Sequence, residues 1–357
     1  MTVLRRIARH EPMSLWPFRP VQSVRIFLLS ALLSCLAAAV QAADRPAFPV
    51  DIPNAFGVTH IEAEPQRVVS ISYIGHDFLL ALGVKPYALR KWYGNDPFGV
   101  WPWAQAALSD AQPIVLQGEI NIEAIAALKP DLIDAQWSGM TKAEYALLSR
   151  IAPTLAPPPG ESAYSTPWQA MLRASARATG RAERAEEIIA GLEHRMGEIR
   201  ARHPDWQGKT VAMAWPRQVG AFGARDIRSL LMGELGLSSP PALRRYSDSQ
   251  QFLAYLPDED LSPIDADALI WFDTGGGTAF IAALPLRRTL RAYREGREIV
   301  ADPLLSAAMS HSSPLSLGYV LDRIEPLLEQ ALDGDPATPV KGMEELAPPA
   351  AADKDNS

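Results

Sequence analysis

The chain is expected to fold as an α/β protein of two lobes, each with a central parallel sheet, joined by one long helix. Three observations carry this expectation. A strand, helix, strand rhythm runs from Arg67 to Ala135; a long amphipathic stretch spans Arg181 to Arg202; and the rhythm restarts at Thr210 and returns at Ala268 to Phe272. Composition agrees: 48% hydrophobic and 21% charged residues among 357 exclude a fibrous or largely disordered chain.

The elements follow in chain order. Residues 1–42 read as a secretory signal peptide. Arg5, Arg6, Arg9, Arg19 and Arg25 precede an apolar run from Ile26 to Val40, and Val40-Gln41-Ala42 before Ala43 forms a small-x-small cleavage site. The run is shorter than the roughly 20 residues a spanning helix needs. Met1 and Met13 both fit as a start, the latter giving a leader of more ordinary length. The single cysteine, Cys35, follows Leu32-Leu33-Ser34 in a segment that weakly resembles a lipoprotein box, so lipidation there is the alternative to simple cleavage. Either way the expected mature chain carries no disulfide and no thiolate ligand. Removing the leader's five arginines and one glutamate from 34 basic and 41 acidic residues leaves 29 against 40, a net charge of −11. Such acidity argues against non-specific nucleic-acid binding, which needs clustered Lys and Arg.

Residues 43–180 form the expected N-terminal lobe. Arg67 to Ser72 reads as a buried strand, Asp77 to Leu82 as a short helix closed by Gly83, and Val84 to Leu89 as a second strand. Asn121 caps a helix running to Leu128 that Pro130 stops, and Leu132 to Ala135 is a third strand. Trp168 to Ala178 is helical until Thr179-Gly180 interrupts it. Residues 181–203 are the interlobe helix, with Ile188, Ile189, Leu192, Met196 and Ile199 on one side, ended by His203-Pro204. In the C-terminal lobe, residues 204–332, a strand at Thr210 to Trp215 precedes a helix at Ile227 to Leu235 and a strand at Ala268 to Phe272. Residues 333–357, rich in Ala, Pro, Asp and Glu without periodicity, are expected to be a disordered tail.

One pattern occurs twice. Asn121 to Ile133 and Asp258 to Leu269 align so that Glu123 matches Glu259, Leu128 matches Ile264 and Asp131 matches Asp267. Each lobe thus carries a glutamate near the start of a short helix, where the helix dipole favours a carboxylate. Equivalent acids on two related lobes suit docking onto a two-fold partner.

The segments Arg67-Val68-Val69-Ser70, Leu80 to Pro86, Ile125 to Ile133, Leu148 to Thr154 and Ser312 to Leu317 together resemble the periplasmic siderophore-binding proteins of ABC importers, the ferric-hydroxamate-like type with a rigid interlobe helix. The resemblance covers about residues 65 to 332. It implies a cleft between the lobes that takes a preformed ferric chelate, small lobe movements, and a periplasmic monomer that delivers cargo to an inner-membrane permease dimer powered by an ATPase. It also implies that Glu123 and Glu259 dock on arginines of that permease. Neither a resident cofactor nor a protein-bound metal is expected, the iron arriving in its siderophore.

A chelate-binding cleft calls for aromatic surface and for Arg or hydroxyl donors. Loops at strand carboxyl ends would face it. Tyr73 and His76 follow the first strand; Arg90, Trp92 and Trp103 follow the second, in Arg90 to Gly94 and Trp101-Pro102-Trp103; Trp137 follows the third. In the C-terminal lobe Trp215, Arg217 and Arg225 follow the first strand, Trp271 ends a later one, and His311 precedes Ser312-Ser313-Pro314. These eleven residues are the candidate ligand contacts, each with packing or a solvated surface as its alternative. Trp168 and Trp206, beside helix ends, are assigned to packing.

Catalysis is not expected: there is no Gly-x-Ser-x-Gly elbow, no His-Glu-x-x-His and no phosphate-binding loop, and Gly275-Gly276-Gly277 lacks dinucleotide spacing. The dispersed histidines disfavour a direct metal binder. Haem or cobalamin is the alternative cargo, with Tyr73, His76, Tyr93 or His311 available as a haem ligand. A hydroxamate-type siderophore is favoured because the candidate site is more aromatic than basic.

Overall fold

A computed structural model describes residues 48–162, 164–245, 253–257, 259–273, 278–343 and 346. The expected signal peptide 1–42, with Cys35, lies outside them. The described chain opens with an antiparallel hairpin, β1 (Val50–Asn54) and β2 (Gly57–Ile61), that the sequence reading does not anticipate.

The N-terminal sheet is parallel throughout, as expected. Its strands β3 (Val68–Ser70), β4 (Ala88–Arg90), β5 (Ile114–Leu116), β6 (Leu132–Asp134) and β7 (Thr154–Leu155) lie in the order β5-β4-β3-β6-β7. Helices α1 (Gly75–Ala81), α2 (Pro102–Leu108), α3 (Ile122–Ala127) and α4 (Lys142–Leu148) connect them. Strands β3, β4 and β6 are buried on both faces, so each opens with an adjacent apolar pair instead of alternating, and each ends in a buried polar residue, Ser70, Arg90 or Asp134. Strand β4 begins at Ala88 and not at the expected Val84. Pro86 has no N–H for the ladder, and the Val84 N–H turns back to the Leu79 carbonyl at 2.9 Å. Asn121 caps α3 as predicted, its side chain accepting the Ala124 N–H at 2.8 Å.

Helix α5 (Trp168–Thr179) stops at Gly180, whose left-handed φ of 69° suits a residue without a Cβ. Helix α6 (Ala182–Arg202), 21 residues long, then buries Ala185, Ile189, Met196 and Ile199. In chain order it stands between the two sheets. Trp168 and Trp206 are core residues, as their positions beside helix ends predict.

The second sheet holds β8 (Val211–Trp215), β9 (Gly220–Phe222), β10 (Leu253–Tyr255), β11 (Ala268–Phe272) and β12 (Glu298–Ala301), ordered β10-β9-β8-β11-β12. Its helices are α7 (Ile227–Glu234), α8 (Ala279–Ala282), α9 (Arg291–Arg294), α10 (Pro303–His311) and α11 (Pro314–Leu332). Strands β8, β11 and β12 are parallel, but β9 pairs antiparallel with both β8 and β10, so this sheet is mixed. The cause is local: Gln218 takes a positive φ of 48° and folds the chain back, pairing Trp215 with Gly220.

The repeated pattern is unequal in structure. Glu123 sits in the first turn of α3, whereas Glu259 precedes a single 3₁₀ turn, Ser262–Ile264, entered through an Asp260 carboxylate that accepts the Ser262 N–H at 3.0 Å. Both glutamates are exposed. The segment from residue 333, expected to be a disordered tail, makes contacts with the rest of the chain in its described part. Val340 and Leu346 are buried, and the Lys341 N–H donates to Gln330 Oε1 at 2.9 Å. Among the described residues no helix is long and apolar enough to cross a membrane.

Candidate functional site

Strand order reverses on either side of β3, with β4 to one side and β6 to the other, so the loops leaving their carboxyl ends diverge and open a crevice. Tyr73, Trp92, Tyr93 and Trp137 occupy those loops. Facing them are Trp215 and Phe272 at the carboxyl ends of β8 and β11, Asp273 just after β11, Phe222 on the antiparallel β9, and Ser306 and Ser310 on α10. Together these residues line a cleft of about 810 Å³. That volume suits a compact organic ligand.

Aromatic rings make up most of the wall. Trp92 is central, its ring centroid 5.7 Å from Tyr73, 4.7 Å from Tyr93 and 5.0 Å from Trp137. Trp137 meets Tyr164 edge-on at 4.8 Å, beside Gly139, where a Cβ would come within 2.3 Å of the Tyr164 hydroxyl. Across the cleft, Phe222 lies 5.1 Å from Trp215 and 5.0 Å from Phe272. Trp215 lies over Gly220 so closely that a Cβ there would be 2.0 Å from the indole.

Of the eleven candidate contacts, Tyr73, Trp92, Trp137 and Trp215 line the cleft. The other seven do not. Arg90 is buried under the floor: its Nη2 donates to the Tyr73 hydroxyl at 2.6 Å, Nε to the Gly118 carbonyl at 2.8 Å and Nη1 to the Ser138 carbonyl at 3.2 Å. It braces three loops and reaches the cleft only through Tyr73. Trp271 is fully buried, its indole N–H donating to Glu298 at 2.7 Å. Alternation along β11 explains this, since Phe272 takes the cleft side and Trp271 the opposite face. Arg217 is exposed over the Phe280 ring, and Arg225 is exposed with Glu161 at 3.9 Å.

Trp103, His76 and His311 form a layer behind the wall. Trp103 stacks parallel to the cleft-lining Trp101 at 5.2 Å and donates its indole N–H to Asp77 at 2.7 Å. His311 is packed against the rings of Trp92, Trp101 and Trp103, with Nδ1 2.9 Å from the Ala307 carbonyl. Burial pushes its pKa down to about 4, against the pull of Asp77. Burial likewise lowers the pKa of His76, whose ring is 6.3 Å from that of His311. Of the four residues considered as haem ligands, only Tyr73 and Tyr93 face the cleft.

Sequence reasoning did not select Tyr93, Trp101, Tyr164, Phe222, Arg228, Tyr255, Phe272 or Asp273 as siderophore contacts, and considered Tyr93 only as a haem ligand. Arg228 is the wall's one guanidinium among the described residues. Its Nη1 donates to both carboxylate oxygens of Asp226, at 2.8 and 2.7 Å, and its carbon lies 3.8 Å from the Phe222 ring centroid. Burial holds the Asp226 carboxyl above its ordinary pKa, and the Arg228 guanidinium offsets only part of that rise. An Asp two residues before an Arg, at a predicted helix start, was the available signal. Among the described residues no group of three or more His, Cys, Asp or Glu is arranged to hold a metal ion.

Two α/β lobes whose strand ends meet at one aromatic cleft agree with a family-level match: the family described as periplasmic binding protein matches residues 68–304. The chain belongs to that family. It is a family that binds substrates and does not transform them. A probable siderophore-binding lipoprotein of Bacillus subtilis (strain 168), YfiY, is 28% identical to this periplasmic binding protein over 227 residues, covering 62% of this chain and 68% of the relative. A periplasmic solute binding protein from Mycobacterium smegmatis str. MC2 155 matches with a TM-score of 0.70 at 35% identity, over 79% of this chain and 98% of that one. PiaA of Streptococcus pneumoniae TIGR4, solved in complex with ferrichrome, matches with a TM-score of 0.68 at 27% identity, over 80% and 99%.

Proposed function

We propose that this periplasmic binding protein captures a ferric siderophore, of hydroxamate type, and delivers it to an ABC permease for iron uptake. The observation that carries the reading is the cleft itself: its volume, its aromatic wall from both lobes and, among the described residues, a single, already paired guanidinium. Ring faces suit the organic shell of a wrapped chelate, and hydroxyl and guanidinium donors suit its oxygens. Relatives named for siderophore binding, and a structural neighbour solved with ferrichrome, support the same cargo class.

Charge favours hydroxamate over catecholate. Three hydroxamates neutralise ferric iron, whereas three catecholates leave a trianion whose desolvation a nearly uncharged wall does not repay. On this reading the iron is cargo held by its chelator, and the protein works as an exported monomer, free in the periplasm after cleavage or tethered by a lipid at Cys35. Helix α6 keeps lobe movement small, and Glu123 and Glu259 dock on the permease dimer, which an ATPase drives.

Titration calorimetry and quenching of intrinsic Trp fluorescence, with ferrichrome, ferric enterobactin, ferric citrate, haem and cobalamin, test the cargo. Micromolar or tighter binding of ferrichrome is expected. Tight binding of haem or cobalamin, with no ferric chelate bound, would replace the reading by one of those cargoes.

A further inference from the structure

Two formal charges stand in the cleft wall among the described residues, the Arg228 guanidinium and the Asp273 carboxylate. Directly behind the first lies Asp226, the N-cap of α7, 1% exposed. One Asp226 oxygen accepts the Arg228 backbone N–H at 2.9 Å, and both accept its Nη1. Nε of Arg228 donates to the Ser310 hydroxyl at 3.3 Å. Among the described residues Nη2 makes no hydrogen bond, so the guanidinium retains a donor while its charge is already balanced.

The cap does not require this charge. Asn and Ser cap a helix about as well as Asp. What Asp adds is a fixed anion against the one cation that the described residues place in the wall, held by its own backbone contact and shielded from solvent. Coulombic attraction to an incoming anion is strong in such a site only if the cation is uncompensated.

We propose that Asp226 is a specificity-determining residue: by neutralising Arg228 it leaves a donor for a neutral ferric chelate and no net positive charge for an anionic one. The inference rests on the cleft's being a ferric-siderophore site and goes further by naming the residue that sets the cargo's charge.

Asp226→Asn keeps the cap and the side-chain shape and removes the charge. The affinities of wild type and variant for ferrichrome, a neutral trishydroxamate, and for ferric enterobactin, a trianionic triscatecholate, are compared at one ionic strength. Wild type should favour ferrichrome, and the ferrichrome-to-enterobactin affinity ratio should fall by about tenfold or more in the variant. Arg228→Gln, which leaves the carboxylate alone, should raise that ratio. A folded Asp226→Asn protein with its ratio unchanged within about twofold overturns the inference while leaving the siderophore reading intact. Wild type preferring the trianion overturns it whether or not either variant folds. If wild type binds no ferric chelate, the siderophore reading itself has failed.

Discussion

The Asp77 carboxylate on α1 accepts a 2.6 Å hydrogen bond from the hydroxyl of Ser313, the residue that caps α11. The same Oδ2 accepts the Trp103 indole N–H. One buried oxygen therefore joins a helix of the first lobe, the C-terminal helix and the ring stacked behind Trp101. Hydrogen bonds to a buried carboxylate contribute more than neutral ones, about 1.5–3 kcal/mol. Asp77→Ala should cost about 2–4 kcal/mol by urea unfolding, and a cycle with Ser313→Ala should show coupling of about 1–3 kcal/mol. Additive single effects would dissolve the proposed link.

His311 makes stability depend on pH. Its folded pKa of about 4 lies below the ordinary 6.5, so the unfolded chain binds the proton first as pH falls. Its contribution is therefore constant above about 6.5, falls between about 6.5 and 4, and levels off below, a loss of about 3 kcal/mol. His76, lowered for the same reason, adds loss of the same sign. The buried carboxyls of Asp134 and Asp226, raised by burial, act oppositely. The useful quantity is thus the difference between wild type and His311→Gln. It should narrow with acidification from pH 6.5 to 4; a constant difference would mean that His311 titrates normally.

Gly220 supplies a packing test. A Cβ at this position would meet the Trp215 indole at 2.0 Å, and the rigid ring has to move. Gly220→Ala is expected to cost about 1–3 kcal/mol and to weaken ferrichrome binding, because Trp215 leaves the wall. Near-ultraviolet circular dichroism and calorimetry read the two effects. Unchanged spectrum and affinity would show that β9 yields instead of the ring.

Much of this architecture was legible because its strands are apolar on both faces: the expected strand Ala268 to Phe272 is observed with the same limits as β11. The wall was legible only by loop, and choosing the side chain within a loop needs its rotation. Trp101 and Trp103 flank Pro102, the first residue of α2, and both are half-buried, yet Trp101 faces the cleft and Trp103 the layer behind. Trp271 and Phe272 were separable by strand alternation, which the sequence reading did not apply. Arg228 was hidden because the groups that fix it are tertiary, Ser310 from α10 and the Phe222 ring. Arg90 shows the reverse: an arginine beside aromatics suggested a ligand contact, but its donors are committed to Gly118, Ser138 and Tyr73.

That commitment predicts different phenotypes for two residues proposed together from sequence. Arg90→Ala removes a buried guanidinium and leaves the buried Ser138 carbonyl, the half-buried Tyr73 hydroxyl and the more exposed Gly118 carbonyl without their donor, and should cost about 2–4 kcal/mol of stability. Trp137→Ala should lower cargo affinity by more than about tenfold, since its ring lines the cleft. Unfolding and binding measured on both variants separate the roles. An Arg90→Ala protein of wild-type stability and reduced affinity would return Arg90 to the contact set.

If Glu123 and Glu259 dock on the permease as proposed, docking should depend on charge at these two exposed residues and not on the cleft. Neither Glu123 nor Glu259 lines the cleft, and the two lie at unlike elements, a helical first turn and the approach to a 3₁₀ turn. Reversing both to Lys should leave ferrichrome affinity within about twofold and abolish siderophore-dependent growth of cells lacking the chromosomal copy. Single reversals should each reduce uptake, because each lobe would meet its own half of a two-fold partner. A partial or absent uptake defect in the double variant would place permease recognition elsewhere, and a fall in affinity would tie the glutamates to the cleft.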